Sequence, residues 1–288
     1  LETVDRNSLR AAQTPQGFVA SDLAAAYAAA EADFTDDAAL MQAAGHRITT
    51  VALDQGEPIP PLADFDLLAV MGGPMDVWQE DLHPWLVAEK SAIRAWVQDL
   101  GRPYFGICLG HQLLAVALGG QAAVMVQPEV GLTLVTQTAQ GRADALFSGL
   151  PVQMQTLQWH GVEVTKLPPD TVVLAENPVC AVQAMRVGRH AYGVQYHLEI
   201  LPTTVADWNA IPEYRAALHR AIGPTAAQDL MDDTAAQLPI FRATAAQIND
   251  PYGVIRGPDG AIWFCEHNGH RIRRVAPDGT ITTVAGTG

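Results

Sequence analysis

A cysteine flanked by two glycines is the residue of this 288-residue chain best suited to act as a nucleophile. Residues 105–112 read FGICLGHQ, so an apolar run passes through Gly106, Cys108 and Gly110 directly into a helical pattern. A sharp strand-to-helix turn of this kind lifts the reactive atom above a sheet, and glycine allows the tight backbone path. It also places the thiol at a helix N-terminus, where the helix dipole favours a thiolate. The pattern predicts a nucleophilic Cys108; the alternative is a free cysteine that only packs in the core.

A nucleophilic cysteine needs a base, and the base needs a group that orients it. Residues 193–199 read GVQYHLE, with apolar and polar positions that alternate as they do in a strand. A spacing of two residues places His197 and Glu199 on the same side of a strand. We therefore expect Glu199 to hold the imidazole while His197 faces the thiol. Taken alone, His-x-Glu is also what an exposed polar strand end looks like.

A third motif follows another apolar run, since residues 68–75 read LAVMGGPM. Small residues at a strand end leave backbone N–H groups open to a ligand. The N–H groups of Gly73 and Leu109 are predicted to form an oxyanion hole, from which removal of one donor costs ~10²–10³ in rate. A plain turn at the end of a strand would have the same sequence.

The elements that must position these motifs alternate between strands and helices. Helical patterns cover 84–100 and 112–118, and apolar runs typical of buried strands lie at 48–53, 67–71, 104–107, 172–175, 181–185 and 191–196. This alternation predicts an α/β fold with a largely parallel sheet and helices on both sides. Ligands bind such sheets at the carboxyl ends of the strands, where the three motifs lie.

Composition excludes several classes of protein. A net charge of −14 disfavours a nucleic-acid binder and a protein that associates with an anionic membrane surface. Hydrophobic residues make up 49% of the chain, enough for a core, yet no apolar run approaches the ~18 residues of a membrane span. Three scattered cysteines are too few for a disulfide framework, so we expect a cytoplasmic protein.

Together and in this order, the motifs resemble those of class I (triad) glutamine amidotransferases, of the stand-alone type related to the glutaminase domain of GMP synthase. The resemblance covers residues 44–247, about seven-tenths of the chain, and includes LQWHG at 157–161. It implies a flavodoxin-like fold: an open, mostly parallel sheet with helices on both faces, and a helix over 226–247 that closes the domain.

The resemblance also implies a reaction, the hydrolysis of the glutamine side-chain amide through a glutamyl thioester. Cys108 would attack the carboxamide, His197 would protonate the departing ammonia and then activate water, and Glu199 would fix His197. The amides of Gly73 and Leu109 would stabilise the oxyanion. The residues that would hold glutamine are Gly72, Gln112, Trp159, His160 and Gly161. No cofactor and no metal are implied.

The flanks of the chain differ from this family. Residues 10–18 (RAAQTPQGF) and 34–38 (FTDDA) resemble the later part of methylerythritol-phosphate cytidylyltransferase, without its Gly-rich nucleotide loop, so we expect no cytidylyl transfer. Residues 250–288, with two Pro-Asp-Gly turns, resemble one NHL-type β-propeller blade. The predicted organisation is a cytidylyltransferase-like α/β fragment at 1–47, the amidotransferase domain at 48–248 and an antiparallel β blade at 249–288. The family's first strand is missing unless 8–12 or 17–20 pairs in its place.

The acceptor of ammonia is not apparent in the sequence. The chain has no P-loop motif and only two lysines, so an ATP-binding synthetase within it is not expected. A separate synthetase subunit is the expected partner, with no nucleic acid and no membrane. Two alternatives stay open: a catalytically silent mosaic or remnant, and a γ-glutamyl hydrolase.

Overall fold

The computed structural model describes residues 49–248 and, as short backbone strands, 16–17, 251–256, 262–266, 271–275 and 281–285; side chains are described over 49–241. The larger sheet of the described residues has nine strands: β1 (Gln16–Gly17), β2 (Thr49–Thr50), β3 (Leu68–Val70), β4 (Tyr104–Ile107), β5 (Gln121–Gln137), β6 (Gln153–Lys166), β7 (Thr171–Glu176), β8 (Ala184–Val187) and β9 (Ala191–Val194). Their order across the sheet is β2-β1-β3-β4-β9-β8-β7-β5-β6.

The predicted α/β architecture is confirmed, but the prediction of a mostly parallel sheet is wrong. Only β3, β4 and β9 run parallel to one another, and the remaining neighbours pair antiparallel. Parallel neighbours need a long crossover connection, which residues 71–103 supply between β3 and β4. The strands from β7 to β9 follow one another after short connections, and these favour antiparallel pairing. The sheet is therefore mixed.

The antiparallel half of the sheet curls back toward β9. An isolated antiparallel bridge pairs Leu157 in β6 with His197, three residues past the end of β9. The His197 N–H donates to the Leu157 carbonyl at 2.8 Å, and the Leu157 N–H donates back at 3.2 Å. Because β6 lies at the far end of the strand order, this pairing bends the sheet around the carboxyl end of β9.

Helices pack on both sides of the sheet, as expected. They are α1 (Trp85–Arg94), continued by a π-helical turn over Ala95–Asp99, α2 (Leu109–Ala117), α3 (Ala139–Ala143), α4 (Thr204–Ala210), α5 (Pro212–Ile222) and α6 (Ala227–Ile248). The core around α1 and α2 contains Leu86, Ile93 and Leu113. A second core joins Leu218 and Phe241, on α5 and α6, to residues of β5 and β6. The predicted helix over 226–247 is α6, whereas α4 and α5 were not predicted.

A two-residue strand from the N-terminal segment pairs within the sheet. β1 lies between β2 and β3 and pairs antiparallel with both, with Gln16 opposite Thr50 and Ala69. It shares Gly17 with the expected segment 17–20, and the rest of 1–48 lies outside the described residues.

The C-terminal strands form a four-stranded antiparallel meander. Its strands are β10 (Pro251–Arg256), β11 (Ile262–Glu266), β12 (Arg271–Val275) and β13 (Ile281–Ala285), in that spatial order. Its interpretation as a propeller blade stays a prediction. Over the described part of the chain, no helix combines the length and apolar character that a membrane crossing requires.

Two glycines allow α2 to lie directly against the strands. A Cβ on Gly110 would lie 2.1 Å from the carbonyl oxygen of Val70, and one on Gly106 would lie 2.5 Å from the backbone of Gly110. Both obstacles are backbone atoms, which cannot rotate away as a side chain can. The spacing of Gly106 and Gly110 therefore sets how closely the turn at Cys108 approaches β3.

We expect Gly110→Ala to lower the free energy of unfolding by about 3 kcal/mol, because the overlap with Val70 forces the helix away from the strand. The higher helix propensity of alanine opposes this loss by only about 1 kcal/mol. Urea unfolding measures the difference. Gly149→Ala is the matched control, because nothing lies within 4 Å of a Cβ there. A Gly110→Ala variant as stable as the parent would contradict the packing described.

Candidate active site

Cys108 sits in the turn between β4 and α2 with an unusual backbone conformation. Its φ of 52° and ψ of −103° lie outside the regions that non-glycine residues normally occupy. The strain is held by hydrogen bonds on both sides: the Cys108 N–H donates to the Val194 carbonyl at 2.8 Å, and the Gln112 N–H donates to the Cys108 carbonyl at 3.2 Å. Observed strain of this kind is concentrated at functional sites.

His197 and Glu199 lie beside this turn. The Nδ1 atom of His197 and the Oε1 atom of Glu199 are 2.5 Å apart, and the second Glu199 oxygen accepts the Leu198 N–H at 2.9 Å. The imidazole also lies near enough to the Cys108 side chain for the two groups to interact electrostatically. The structure thus brings together the three side chains that the sequence predicts as catalytic.

Gly72 adjoins the thiol and the imidazole at once. A Cβ at this position would lie 3.2 Å from the Cβ of Cys108 and 3.3 Å from Cε1 of His197. The segment after β3 therefore passes over the gap between the two side chains, and any residue larger than glycine would press on them.

The charges of His197 and Glu199 reinforce each other. Burial alone would lower the pKa of His197, but the Glu199 carboxylate and the nearby Cys108 side chain raise it to about 10. Burial would raise the pKa of Glu199, but the neighbouring His197 holds it below its ordinary value. At neutral pH the arrangement therefore favours an imidazolium paired with a carboxylate.

The predicted oxyanion donors lie on the two segments that flank Cys108. Leu109 is the first residue of α2, so its N–H belongs to the helix end whose donors have no partner within the helix. Gly73 follows Gly72 on the segment after β3. Their joint role in stabilising an oxyanion stays a prediction.

Two of the residues predicted to hold glutamine lie in buried hydrogen bonds. The Gln112 side-chain amide donates to Oε1 of Gln195 at 3.0 Å and to the Val162 carbonyl at 3.2 Å. The His160 ring lies 2.9 Å from the Val162 carbonyl and 3.2 Å from a Glu129 oxygen. Gly161 lies on β6 directly after His160, and a Cβ there would meet only Pro128, at 3.7 Å. The prediction that these residues hold glutamine stays untested.

Glu129 is the centre of a buried polar network that the sequence did not indicate. Besides His160, its carboxylate accepts from Asn177 at 2.5 Å, Gln183 at 2.9 Å and Thr133 at 3.1 Å. Burial would raise the pKa of Glu129, but His160 and the other donors lower it. No motif marks this carboxylate, because most of its partners lie far from it in sequence.

Trp159 contacts Trp208, which in turn contacts His197. Its ring lies edge-on to that of Trp208 on α4, with 5.4 Å between centroids, and Trp208 lies 4.7 Å from the His197 ring. The Trp159 indole N–H donates to the Tyr214 carbonyl on α5 at 3.1 Å. Sequence reasoning missed Trp208 and Tyr214, and no local signal could have found them, because the fold alone brings α4 and α5 to this site.

His111, close to Cys108 in the first turn of α2, is fully buried. Both ring nitrogens lack a well-formed hydrogen bond, and burial lowers the pKa of the imidazole to about 4. The ring is neutral and packs against Gly193, where a Cβ would lie 2.7 Å from its Nδ1. Within the described side chains, no group of three or more His, Cys, Asp or Glu residues could hold a metal ion.

Two family models match parts of the chain. The model of "Glutamine amidotransferase class-I" matches residues 38–207, and that of "2-C-methyl-D-erythritol 4-phosphate cytidylyltransferase" matches residues 1–57. The two matches share residues 38–57, which include β2. The match at the N-terminus agrees with the resemblance predicted for residues 1–47.

Similar curated proteins are GMP synthases. The chain is 32% identical over 148 residues to a glutamine-hydrolyzing GMP synthase subunit of Saccharolobus solfataricus, covering 51% of this chain and 74% of the relative. The corresponding subunit of Sulfolobus acidocaldarius is 32% identical over 157 residues, covering 54% and 79%. The glutamine-hydrolyzing GMP synthase of Aeropyrum pernix is 35% identical over 148 residues, which cover 51% of this chain and only 26% of that protein.

Solved structures of similar fold include a glutamine amidotransferase from Thermotoga maritima, with a TM-score of 0.60 and 23% identity, covering 69% of this chain and 83% of that one. A second, from Methylobacillus flagellatus, has a TM-score of 0.61 and 24% identity, covering 69% and 81%. At this level of identity the structures establish the fold.

We expect part of the stability to be lost as the pH rises from 6.5 to about 10. The unfolded chain releases the His197 proton near the ordinary value of 6.5, whereas the folded protein holds it to about 10. The stabilisation from His197 is fully present below pH 6.5 and absent above about pH 10. Urea unfolding across this range measures it, and His197→Gln should remove it. The exposed His219, changed to glutamine, is the control; parallel pH profiles for the parent and His197→Gln would contradict the arrangement.

Proposed function

Because the chain belongs to the class-I glutamine amidotransferase family, we propose that it hydrolyses the side-chain amide of glutamine to glutamate and ammonia. The observation that carries the proposal is the line of contacts from Glu199 through His197 to Cys108, with 2.5 Å between the carboxylate and the imidazole. A nucleophile, a base and a group that orients the base are what acyl transfer from an amide requires.

The first half of the reaction forms a thioester. The Cys108 sulfur attacks the amide carbon of glutamine, and the carbonyl oxygen becomes an oxyanion that accepts from the N–H groups of Gly73 and Leu109. His197 gives its proton to the amide nitrogen as the carbon–nitrogen bond breaks. Ammonia leaves, and the glutamyl group remains on the sulfur. The raised pKa of His197 suits this step because the imidazole carries the proton before the attack.

The second half of the reaction regenerates the thiol. The neutral His197 takes a proton from water, which attacks the thioester carbon, and the carbon–sulfur bond breaks to release glutamate. The proton on His197 then balances the charge on the departing sulfur. Glu199 holds the ring orientation throughout, since its second oxygen is fixed by the Leu198 N–H at 2.9 Å.

The backbone around Cys108 supports a reactive rather than a packing role. A cysteine that only fills the core has no need of a strained φ of 52°. Cys180 provides the contrast within the same chain: it is fully buried, and burial raises the pKa of its thiol to about 12, so it is inert at neutral pH.

The ammonia is proposed to pass to a separate synthetase subunit. Two of the relatives are named as single subunits of GMP synthase, and the longer GMP synthase relative extends well beyond the matched region. The 48–248 segment is proposed as the amidotransferase domain, with the 1–47 and 249–288 segments taking no part in the chemistry.

Purified protein is expected to release equal amounts of glutamate and ammonia from glutamine, and Cys108→Ala should lower the rate by at least about 10³-fold because the thioester cannot form without the sulfur. The glutamine analogue 6-diazo-5-oxo-norleucine should label Cys108 alone, which peptide mass spectrometry measures. Cys180→Ala is the matched control and should retain both activity and labelling.

Equal ammonia release by the parent and by Cys108→Ala would refute a thioester mechanism. No turnover and no labelling of a folded parent would favour the catalytically silent alternative. Turnover of γ-glutamyl peptides with none of glutamine would favour a γ-glutamyl hydrolase.

A further inference from the structure

An aromatic group carried by α4 and α5 lies against the His197 ring. The centroid of Trp208 is 4.7 Å from that of His197, and the two planes meet at 68°. This edge-to-face geometry, at close range, is the one that aromatic rings prefer. Trp208 is half-buried, so one part of its indole faces the site while another faces solvent.

The other sides of the imidazole already have neighbours. Nδ1 meets Glu199, the ring lies near the Cys108 side chain, and Cε1 faces Gly72. The freedom that remains to the ring is rotation about its Cβ–Cγ bond, which the contact of Nδ1 with Glu199 restrains at one edge. Contact with Trp208, whose plane meets that of the imidazole at 68°, opposes the same rotation.

Trp208 is itself firmly supported. Trp159 on β6 lies edge-on to it at 5.4 Å and 90°, and Tyr214 on α5 lies 5.7 Å away. The helix that carries Trp208 is tied to α5 because Arg215 donates to the Asn209 carbonyl at 2.7 Å and to the Ala210 carbonyl at 3.3 Å. The tryptophan is thus fixed relative to both the sheet and the next helix.

We propose that Trp208 is a positioning residue that holds the His197 imidazole in the plane where it meets both Glu199 and Cys108. The proposal rests on the proposed function for its effect on turnover, but the ring orientation it concerns is a property of the resting protein. Trp159 and Tyr214 act behind Trp208 as its support.

The titratable groups around His197 do not replace the contact that Trp208 makes with the imidazole. They are Cys108 from the turn after β4, Glu199 from its own segment and Tyr214 from α5. Burial, and after it the electrostatic effect of Cys108, Glu199 and Glu213, holds the pKa of Tyr214 well above its ordinary value, so this phenol is neutral. Asp207 and Glu213, the acidic residues of α4 and of the first turn of α5, are exposed.

The test removes the ring while keeping apolar bulk. Trp208→Leu is expected to lower kcat for glutamine by about 3- to 10-fold, the factor an aromatic pair is worth, with KM changed less than about twofold. Two measurements need no turnover: the low-field proton resonance of the His197–Glu199 hydrogen bond should weaken or move upfield, and alkylation of Cys108 by iodoacetamide should slow by a similar factor. Trp208→Phe should restore all three.

Each outcome decides the proposal. A folded Trp208→Leu protein with an unchanged low-field resonance and an unchanged alkylation rate would overturn it, because Trp208 would then only pack. If Trp208→Leu does not fold, Trp208→Met, a flexible side chain without a ring, takes its place with the same expectations. Trp85→Leu on α1 is the matched control and should leave all readings unchanged. A parent without glutaminase activity would refute the proposed function, while the resonance and the alkylation rate would still test Trp208.

Discussion

The close approach of α2 to β3 is the constraint on which the rest of the site depends. A side chain at Gly110 would overlap the Val70 carbonyl, and one at Gly106 would overlap the backbone of Gly110, so the chain can pass from β4 into α2 only along one narrow path. That path forces Cys108 to a positive φ and aims its side chain over the carboxyl ends of the strands. Val194 completes the arrangement by accepting the Cys108 N–H, so three parallel strands meet at the thiol.

The curl of the sheet places a base, His197, beside the Cys108 thiol. His197 lies beyond the regular end of β9, and a strand end in that position would ordinarily be loose. Its two backbone hydrogen bonds with Leu157 fix it to β6, the last strand of the antiparallel half of the sheet. The same strand carries Trp159 and His160, so one structural element supports the imidazole, the aromatic group around Trp208 and the polar network of Glu129.

The local parts of this arrangement were accessible from sequence, and the non-local parts were not. The FGICLGHQ segment indicates a strand-to-helix turn, and the alternation in GVQYHLE indicates a strand. Both signals come from neighbouring residues, so Cys108, His197 and Glu199 could be predicted. The mixed character of the sheet could not, because antiparallel and parallel strands here have the same apolar runs. Glu129, Trp208 and Tyr214 have no informative neighbours in sequence, since each acquires its role from partners that only folding brings near.

The position of β1 has a consequence for how such a chain can arise. The strand contributes two residues of backbone between β2 and β3, while every side chain described around the thiol comes from β3 onward. Any short segment with free backbone N–H and carbonyl groups could form the same hydrogen bonds between β2 and β3. In this chain, recombination could therefore exchange one coding segment for another at the position between β2 and β3 and leave the residues around the thiol unchanged.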